Sequence, residues 1–184
     1  MSRIGITGHR FLSEIEKINQ GIDIGLTKIE TTFPGPLTIV SSLSEGADQR
    51  VVQRALQRWP DCHLIVPLPL SAKVYQDQFT TRESREVFNQ FFPLAEKILP
   101  PPEAPNFPEA YRLAGEAMLE MSDVLIAVWD GLPAQGTGGT GNIAALARER
   151  GTPLVWIHAG NRRPGTNLPT SLGSEQGTVS FEGF

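Results

Sequence analysis

An α/β fold, with a mainly parallel sheet and helices on both of its faces, is predicted by three observations. Short apolar strand patterns alternate with longer helical stripes along the chain. The strand candidates read as apolar runs, as strands covered on both faces do. Three glycine- or polar-rich loops fall where strand carboxyl ends give way to helices, the edge at which such sheets bind ligands.

The elements follow in order. Residues 3–7 form the first strand pattern, ending at Gly8-His9-Arg10. Ser13 and Glu16 have capping-box spacing, and Ile15, Ile18, Ile22, Leu26 and Ile29 then draw one helical stripe. Pro34-Gly35-Pro36 breaks it. Residues 37–41 give the second strand, and Val51, Val52, Ala55, Leu56 and Trp59 the face of the next helix. Residues 63–67 are the third strand, stopped by Pro67-Leu68-Pro69. Residues 80–92 read as helix, 97–99 as a short strand, Pro100-Pro101-Pro102 as extended linker, and 111–121 as helix. Residues 124–129 are the strongest strand, 143–150 a helix and 154–158 a strand. Residues 1–158 are thus expected to be one nucleotide-binding domain. Residues 159–184, rich in Gly, Pro, Ser, Thr and Asn, are expected as an irregular, loosely packed C-terminal tail, with an edge strand at 178–181.

Composition excludes several classes. A chain of 184 residues with 40% hydrophobic and 20% charged residues is long enough for one buried core. A net charge of −4 argues against a nucleic-acid-coating surface. The single Cys62 excludes an internal disulfide and a multi-cysteine zinc site, and fits a cytoplasmic location. No apolar stretch approaches the roughly 20 residues of a membrane span. Met1-Ser2-Arg3 runs directly into a strand pattern, so no signal peptide is expected.

The run from Asp130 to Asn142 carries the most chemistry. It holds five glycines in thirteen residues: Gly131, Gly136, Gly138, Gly139 and Gly141. A strand, a glycine-rich loop and a helix N-terminus make an anion site, because the first helical N–H groups lack intrahelical partners. The alternative is a flexible connector. Gly136-Thr137-Gly138-Gly139-Thr140-Gly141 matches the dinucleotide fingerprint letter for letter, but five residues separate it from the strand, and strand 154–158 ends without a ribose-binding acid. No Lys follows the glycines as a Walker loop requires.

Ile6-Thr7-Gly8-His9-Arg10, the run Ser41-Ser42-Leu43-Ser44-Glu45-Gly46-Ala47-Asp48, and Asp123 through Gly131 with Gly138-Gly139-Thr140 occur in this order. Together they resemble the SLOG superfamily of Rossmann-like domains, which includes the LOG phosphoribohydrolases, the DprA proteins and the YpsA-like proteins. The resemblance spans residues 3–158. It implies a single Rossmann-like domain that binds a nucleotide or nucleotide-derived ligand. Ala145 stands where the LOG pattern places its Glu.

Individual residues keep two readings each. Arg10 can fork onto a phosphate or lie on the surface. His9 can hydrogen-bond phosphate or ribose. Glu45 and Asp48 can accept ribose hydroxyls, bind a cation or support a developing sugar cation, or can serve as helix N-terminal carboxylates. Asp130 can contact ribose or base. Glu45 and Asp130 are the candidate catalytic acids. Thr137, Thr140 and Asn142 can donate to phosphate or cap the helix. Gly8, Ser42, Gly46, Asp48 and Gly131 complete the expected ligand-binding set; Ser42 and Ser44 lack a base that would make either a nucleophile. Trp129 and Trp156 are expected to pack on the sheet. His63 and His158 have no partners at metal spacing, so no metal site is expected, and Cys62 reads as an inert buried thiol. Arg82, Glu83, Arg85 and Glu86 read as a solvated charge run.

A helix N-terminus contributes about 0.3–1 kcal/mol, up to ~2 when partly buried, whereas micromolar binding needs roughly 8 kcal/mol. A wall for the base is therefore required, and Leu68, Tyr75 and Phe79 are its candidates. The leading expectation is a nucleotide sensor or binding module. The alternatives are N-glycosidic hydrolysis of nucleoside 5′-monophosphates and DprA-like handling of single-stranded DNA, the latter disfavoured by charge. No fixed cofactor is expected, although a phosphorylated ligand can bring Mg²⁺. A nucleotide-derived small molecule is the expected partner, with neither nucleic acid nor membrane, and a homo-oligomer is left open.

Overall fold

The computed structural model describes residues 2–184. Seven strands, β1 (Ser2–Gly8), β2 (Leu37–Val40), β3 (His63–Pro67), β4 (Lys97–Leu99), β5 (Val124–Trp129), β6 (Leu154–His158) and β7 (Val179–Glu182), form one sheet in the order β4-β3-β2-β1-β5-β6-β7. Every neighbouring pair is parallel except β6 with β7. The six α-helices among the described residues are α1 (Ile15–Thr32), α2 (Ala47–Arg58), α3 (Ala72–Asp77), α4 (Arg82–Phe91), α5 (Phe107–Glu120) and α6 (Thr140–Arg150).

Strand β5 explains the layering. All six of its residues are buried. Val124, Ile126 and Val128 join a core with α1 and α2, while Leu125, Ala127 and Trp129 join a second core with α5 and α6. Period-two alternation on a strand covered from both sides produces this division. The α/β class with helices on both faces is the architecture observed.

Strand order also fixes where a ligand can enter. From β1 the chain winds outward through β2, β3 and β4, then returns to place β5 on the other side of β1. The loops leaving β1 and β5 therefore diverge to opposite faces, opening a crevice between their carboxyl ends.

Four local expectations are corrected. Ser13 does not form a capping box, because its hydroxyl donates to Thr170 O at 2.7 Å; Glu14, at φ 49°, is the N-cap instead. Helix α3 was not anticipated, since Tyr75 is its one buried residue and a single position draws no stripe. Helix α6 begins at Thr140, three residues early, because glycines hide its first turn from a hydrophobic pattern. The segment after β6 is irregular but not loose: buried Gln176 accepts from Gly160 N at 2.9 Å and Leu172 N at 3.0 Å and donates to Ser13 O at 3.0 Å. That one amide, together with pairing of β7 on β6, ties the segment to the sheet and to the loop before α1.

Candidate functional site

The β1 loop and the loop between β2 and α2 touch backbone to backbone. His9 N–H donates to Val128 O at 2.9 Å, and Ala47 N–H donates to His9 O at 3.0 Å. A Cβ on Gly8 would lie 2.8 Å from Val128 O and collide with Ala47. A Cβ on Gly46, whose φ is 88°, would lie 2.6 Å from Arg10 Cα. Glycine is required at both positions for the loops to meet, and at Gly46 for the conformation as well.

Leu43 is buried with φ 57°, a conformation costly for a side chain of its size. Both of its peptide groups are held. Leu43 N–H donates to Ser41 Oγ at 3.0 Å, and Gln49 Nε2 donates to Leu43 O at 3.1 Å. With Leu43 turned into the core, Ser42 and Ser44 line a cavity on the other side. Ser41 Oγ donates onward to Asp48 Oδ2 at 2.8 Å. Burial pushes the Asp48 carboxyl up to about 7, against the opposing pull of the Ser41 hydroxyl and the Ser44 N–H.

Glu45 is buried and fully engaged. It pairs with Arg10 Nη2 and accepts from Thr80 N at 2.9 Å and Thr80 Oγ1 at 3.1 Å. Arg10 Nη2 also donates to Gln78 O at 2.7 Å. Glu45 thus anchors Arg10 to the start of α4 and does not itself line the cavity.

The β5–α6 loop forms the opposite wall. His9 Nε2 accepts the Asp130 N–H at 3.2 Å and lies 3.4 Å from Asp130 Oδ1, which accepts Leu132 N–H at 3.1 Å. Burial lowers the His9 pKa, and the Asp130 carboxylate only partly restores it. Gly136 (φ 104°) and Gly138 (φ 81°) need the left-handed region, whereas Gly139 does not. A Cβ at Gly139 would instead lie 2.7 Å from Ala134 Cβ, and one at Gly141 2.7 Å from Leu132 O. These two glycines let residues 132–134 close over the first turn of α6.

No side chain caps α6, unlike α4, where Thr81 accepts from Ser84 N, and α5, where Asn106 accepts from Glu109 N. Neither Thr140 N–H nor Gly141 N–H has a hydrogen-bond partner among the described residues. Asn142 is spent within the loop, donating to Gly136 O at 2.9 Å.

A cavity of about 680 Å³ opens between these loops, in the range of small-molecule sites. It gathers Gly8, His9, Arg10, Ser42, Asp48, Asp130, Gly138, Gly139, Thr140 and Gly141 of the expected set. Glu45, Gly46, Gly131, Gly136, Thr137 and Asn142 do not line it. Gly46 and Gly131 have packing roles, since a Cβ on Gly131 would lie 2.5 Å from the Trp156 ring. Tyr75 is on the wall as expected; Leu68 and Phe79 are buried and do not line the cavity, with Phe79 edge-on to Tyr75 at 5.0 Å. Residues that sequence reasoning missed include Phe11, Tyr111, Asn161 and Arg162. Only contact across the fold selects them, although the abrupt loss of pattern after β6 was a usable signal of a loop at the binding edge.

Other candidates lie elsewhere. Trp156 stacks on His158 (3.9 Å) and packs tilted against Trp129 (4.7 Å), with Arg148 over both indoles. His63 Nδ1 lies 2.6 Å from Glu96 Oε2. Burial pushes the Cys62 thiol up to about 11. In the charge run, Arg82 meets Glu86 at the surface, but Arg85 turns inward to Phe79 O at 2.8 Å and closes the end of α3. Among the described residues no three His, Cys, Asp or Glu side chains gather as a metal site would require, and no helix is long and apolar enough to cross a membrane.

No family of known proteins matches the sequence, and no curated protein does. The fold is similar to the crystal structure of TM1055, a structural-genomics target, with a TM-score of 0.50 over 84% of this chain and 72% of that one. At 14% identity the likeness establishes a shared Rossmann-like architecture.

Proposed function

We propose that this protein is a SLOG-like binding module for a nucleotide or nucleotide-derived molecule. The observation that carries this is the bare N-terminus of α6: the Thr140 and Gly141 N–H groups lack partners, no side chain caps the helix, and the turn lines the cavity at the β1–β5 crevice. Unpaired N–H groups and the helix dipole favour an anion there. The likeness to TM1055 and the resemblance carried by the β1, β2 and β5 loops support the fold side of this reading.

Thr140→Pro tests it with little collateral damage. Proline is tolerated at the first helical position, where it deletes only a free N–H. The preceding Gly139, at φ −78° and ψ 163°, already has the extended conformation that a following proline demands. Thr140→Ala removes the hydroxyl and γ-methyl but keeps the N–H. Titration with nucleoside 5′-monophosphates should show binding weakened roughly tenfold or more by Pro, the scale of a lost hydrogen bond to a charged group, and less by Ala. Equal binding by parent and Thr140→Pro would remove α6 as the phosphate site.

One observation favours the second reading, N-glycosidic hydrolysis of a nucleoside 5′-monophosphate. Asp48 lines the cavity with a carboxyl raised to about 7, so it can be protonated near neutrality and donate to a departing base. In this reading Asp48 takes the acid role expected of Glu45, whose oxygens are committed to Arg10 and Thr80, and Asp130 holds His9 in place. Release of free base by the parent, lowered at least ~10²-fold in Asp48→Asn, is the expected result. No release at high enzyme concentration leaves the binding module.

A further inference from the structure

The segment after β6 supplies a wall of the cavity. A short hairpin follows Gly160: Arg163 N–H donates to Leu168 O at 2.9 Å, Thr170 N–H to Asn161 O at 2.6 Å, and Arg162 pairs with Pro169 in an antiparallel bridge. The hairpin is fixed to the body by Gln176 and by Ser13 Oγ on Thr170 O. Because it leaves the carboxyl end of β6, it arrives at the same sheet edge as the three other loops. Asn161, Arg162, Pro164 and Gly165 face the cavity.

Arg162 is placed there without a counter-charge. Its Nη1 donates to the neutral Asn167 Oδ1 at 3.0 Å, and it has no carboxylate partner among the described residues. Its guanidinium carbon lies 5.2 Å from the centre of the Phe11 ring, and that of Arg10 lies 5.6 Å from the same centre. Two guanidiniums from separate loops thus lie against one aromatic ring at the cavity, and of the two only Arg10 has a carboxylate partner, Glu45. Arg162, with only Nη1 engaged, can grip a ligand phosphate with a fork of N–H groups, and Arg10, whose Nη2 is held by Glu45 and Gln78 O, adds single N–H groups from Nε and Nη1.

We infer that Arg162, with Arg10, forms a second phosphate subsite, so that the ligand is a nucleotide carrying at least two phosphates. One phosphate sits at the α6 N-terminus and another between the two arginines over Phe11. The inference rests on the nucleotide-binding reading above and adds the number of phosphates and a role for the hairpin.

The test compares matched pairs, the 5′-mono- and 5′-diphosphates of adenosine, guanosine, cytidine and uridine, by calorimetric titration of the full chain. The parent should bind one diphosphate at least tenfold more tightly than its monophosphate. Arg162→Ala should bring that ratio to within about twofold while leaving monophosphate affinity and melting temperature unchanged. Arg162→Lys, which keeps the charge but loses the fork, should fall between. A parent that binds a monophosphate with no gain from the second phosphate overturns the subsite and leaves the module. Equal weakening of both ligands by Arg162→Ala also overturns the subsite, because the arginine would then serve the whole site. A parent that binds none of the eight overturns both.

Discussion

His9 and Asp130 face one another across the crevice between β1 and β5: His9 Nε2 accepts the Asp130 amide N–H at 3.2 Å while standing 3.4 Å from the Asp130 carboxylate. Accepting from a backbone amide requires a lone pair on Nε2, so the ring proton belongs on Nδ1. Burial reinforces the neutral state by lowering the His9 pKa.

The first prediction is that His9 is the neutral Nδ1–H tautomer at pH 7. Because its folded pKa lies below the unfolded value, its contribution to stability is complete above about 6.5 and is lost as pH falls through the folded pKa. Nitrogen-15 NMR of the imidazole checks the tautomer. A proton on Nε2 at pH 7 would contradict the hydrogen bond. Asp130→Asn, which removes the groups that raise the pKa, should lower it further.

Asp48 has the opposite sign. Its folded pKa of about 7 lies above the value of 3.8 for an unburied carboxyl. Stability from this group is therefore fully present below pH 3.8 and lost as pH rises through 7. Asp48→Asn keeps the shape and an acceptor for Ser44 N–H but cannot ionise. Relative to the parent, the variant should gain about 1–4 kcal/mol between pH 4 and pH 8, the upper figure being the full shift at about 1.4 kcal/mol per pKa unit. Urea unfolding at the two pH values measures it, and a difference independent of pH would place the carboxyl in water.

Glycine positions separate geometry from composition. Gly46→Ala puts a Cβ on Arg10 backbone at φ 88°, so the two loops must part; Gly35→Ala, at φ 112°, meets nothing within 4 Å. We expect Gly46→Ala to cost more than about 2 kcal/mol and Gly35→Ala about 1 kcal/mol, the scale of backbone strain alone. Chemical denaturation of both variants tests this, and equal losses would mean that loop contact adds nothing.

The residues alone determined a good deal. Apolar runs such as Val124 to Trp129 and stripes such as Ile18, Ile22, Leu26 and Ile29 report burial through their own period, so strands, most helices and layer order were legible. The glycines of the β5–α6 loop marked a helix start by local backbone chemistry. What the sequence left undecided depends on contacts between distant segments. Glu45 and Asp48 are both acids at one strand-to-helix junction, and nothing in their spacing separates them; Thr80 and Arg10, brought in by the fold, saturate Glu45, while Asp48 is left facing the cavity. Gly139 reads as a phosphate glycine, yet Ala134 is what requires it. Arg162 follows the last parallel strand in a run without period, and only the sheet order, by bringing the end of β6 beside that of β5, carries its guanidinium to the ring of Phe11. Periodicity records how each segment meets the core, whereas a site assembled from loops at one sheet edge is decided by which strands become neighbours.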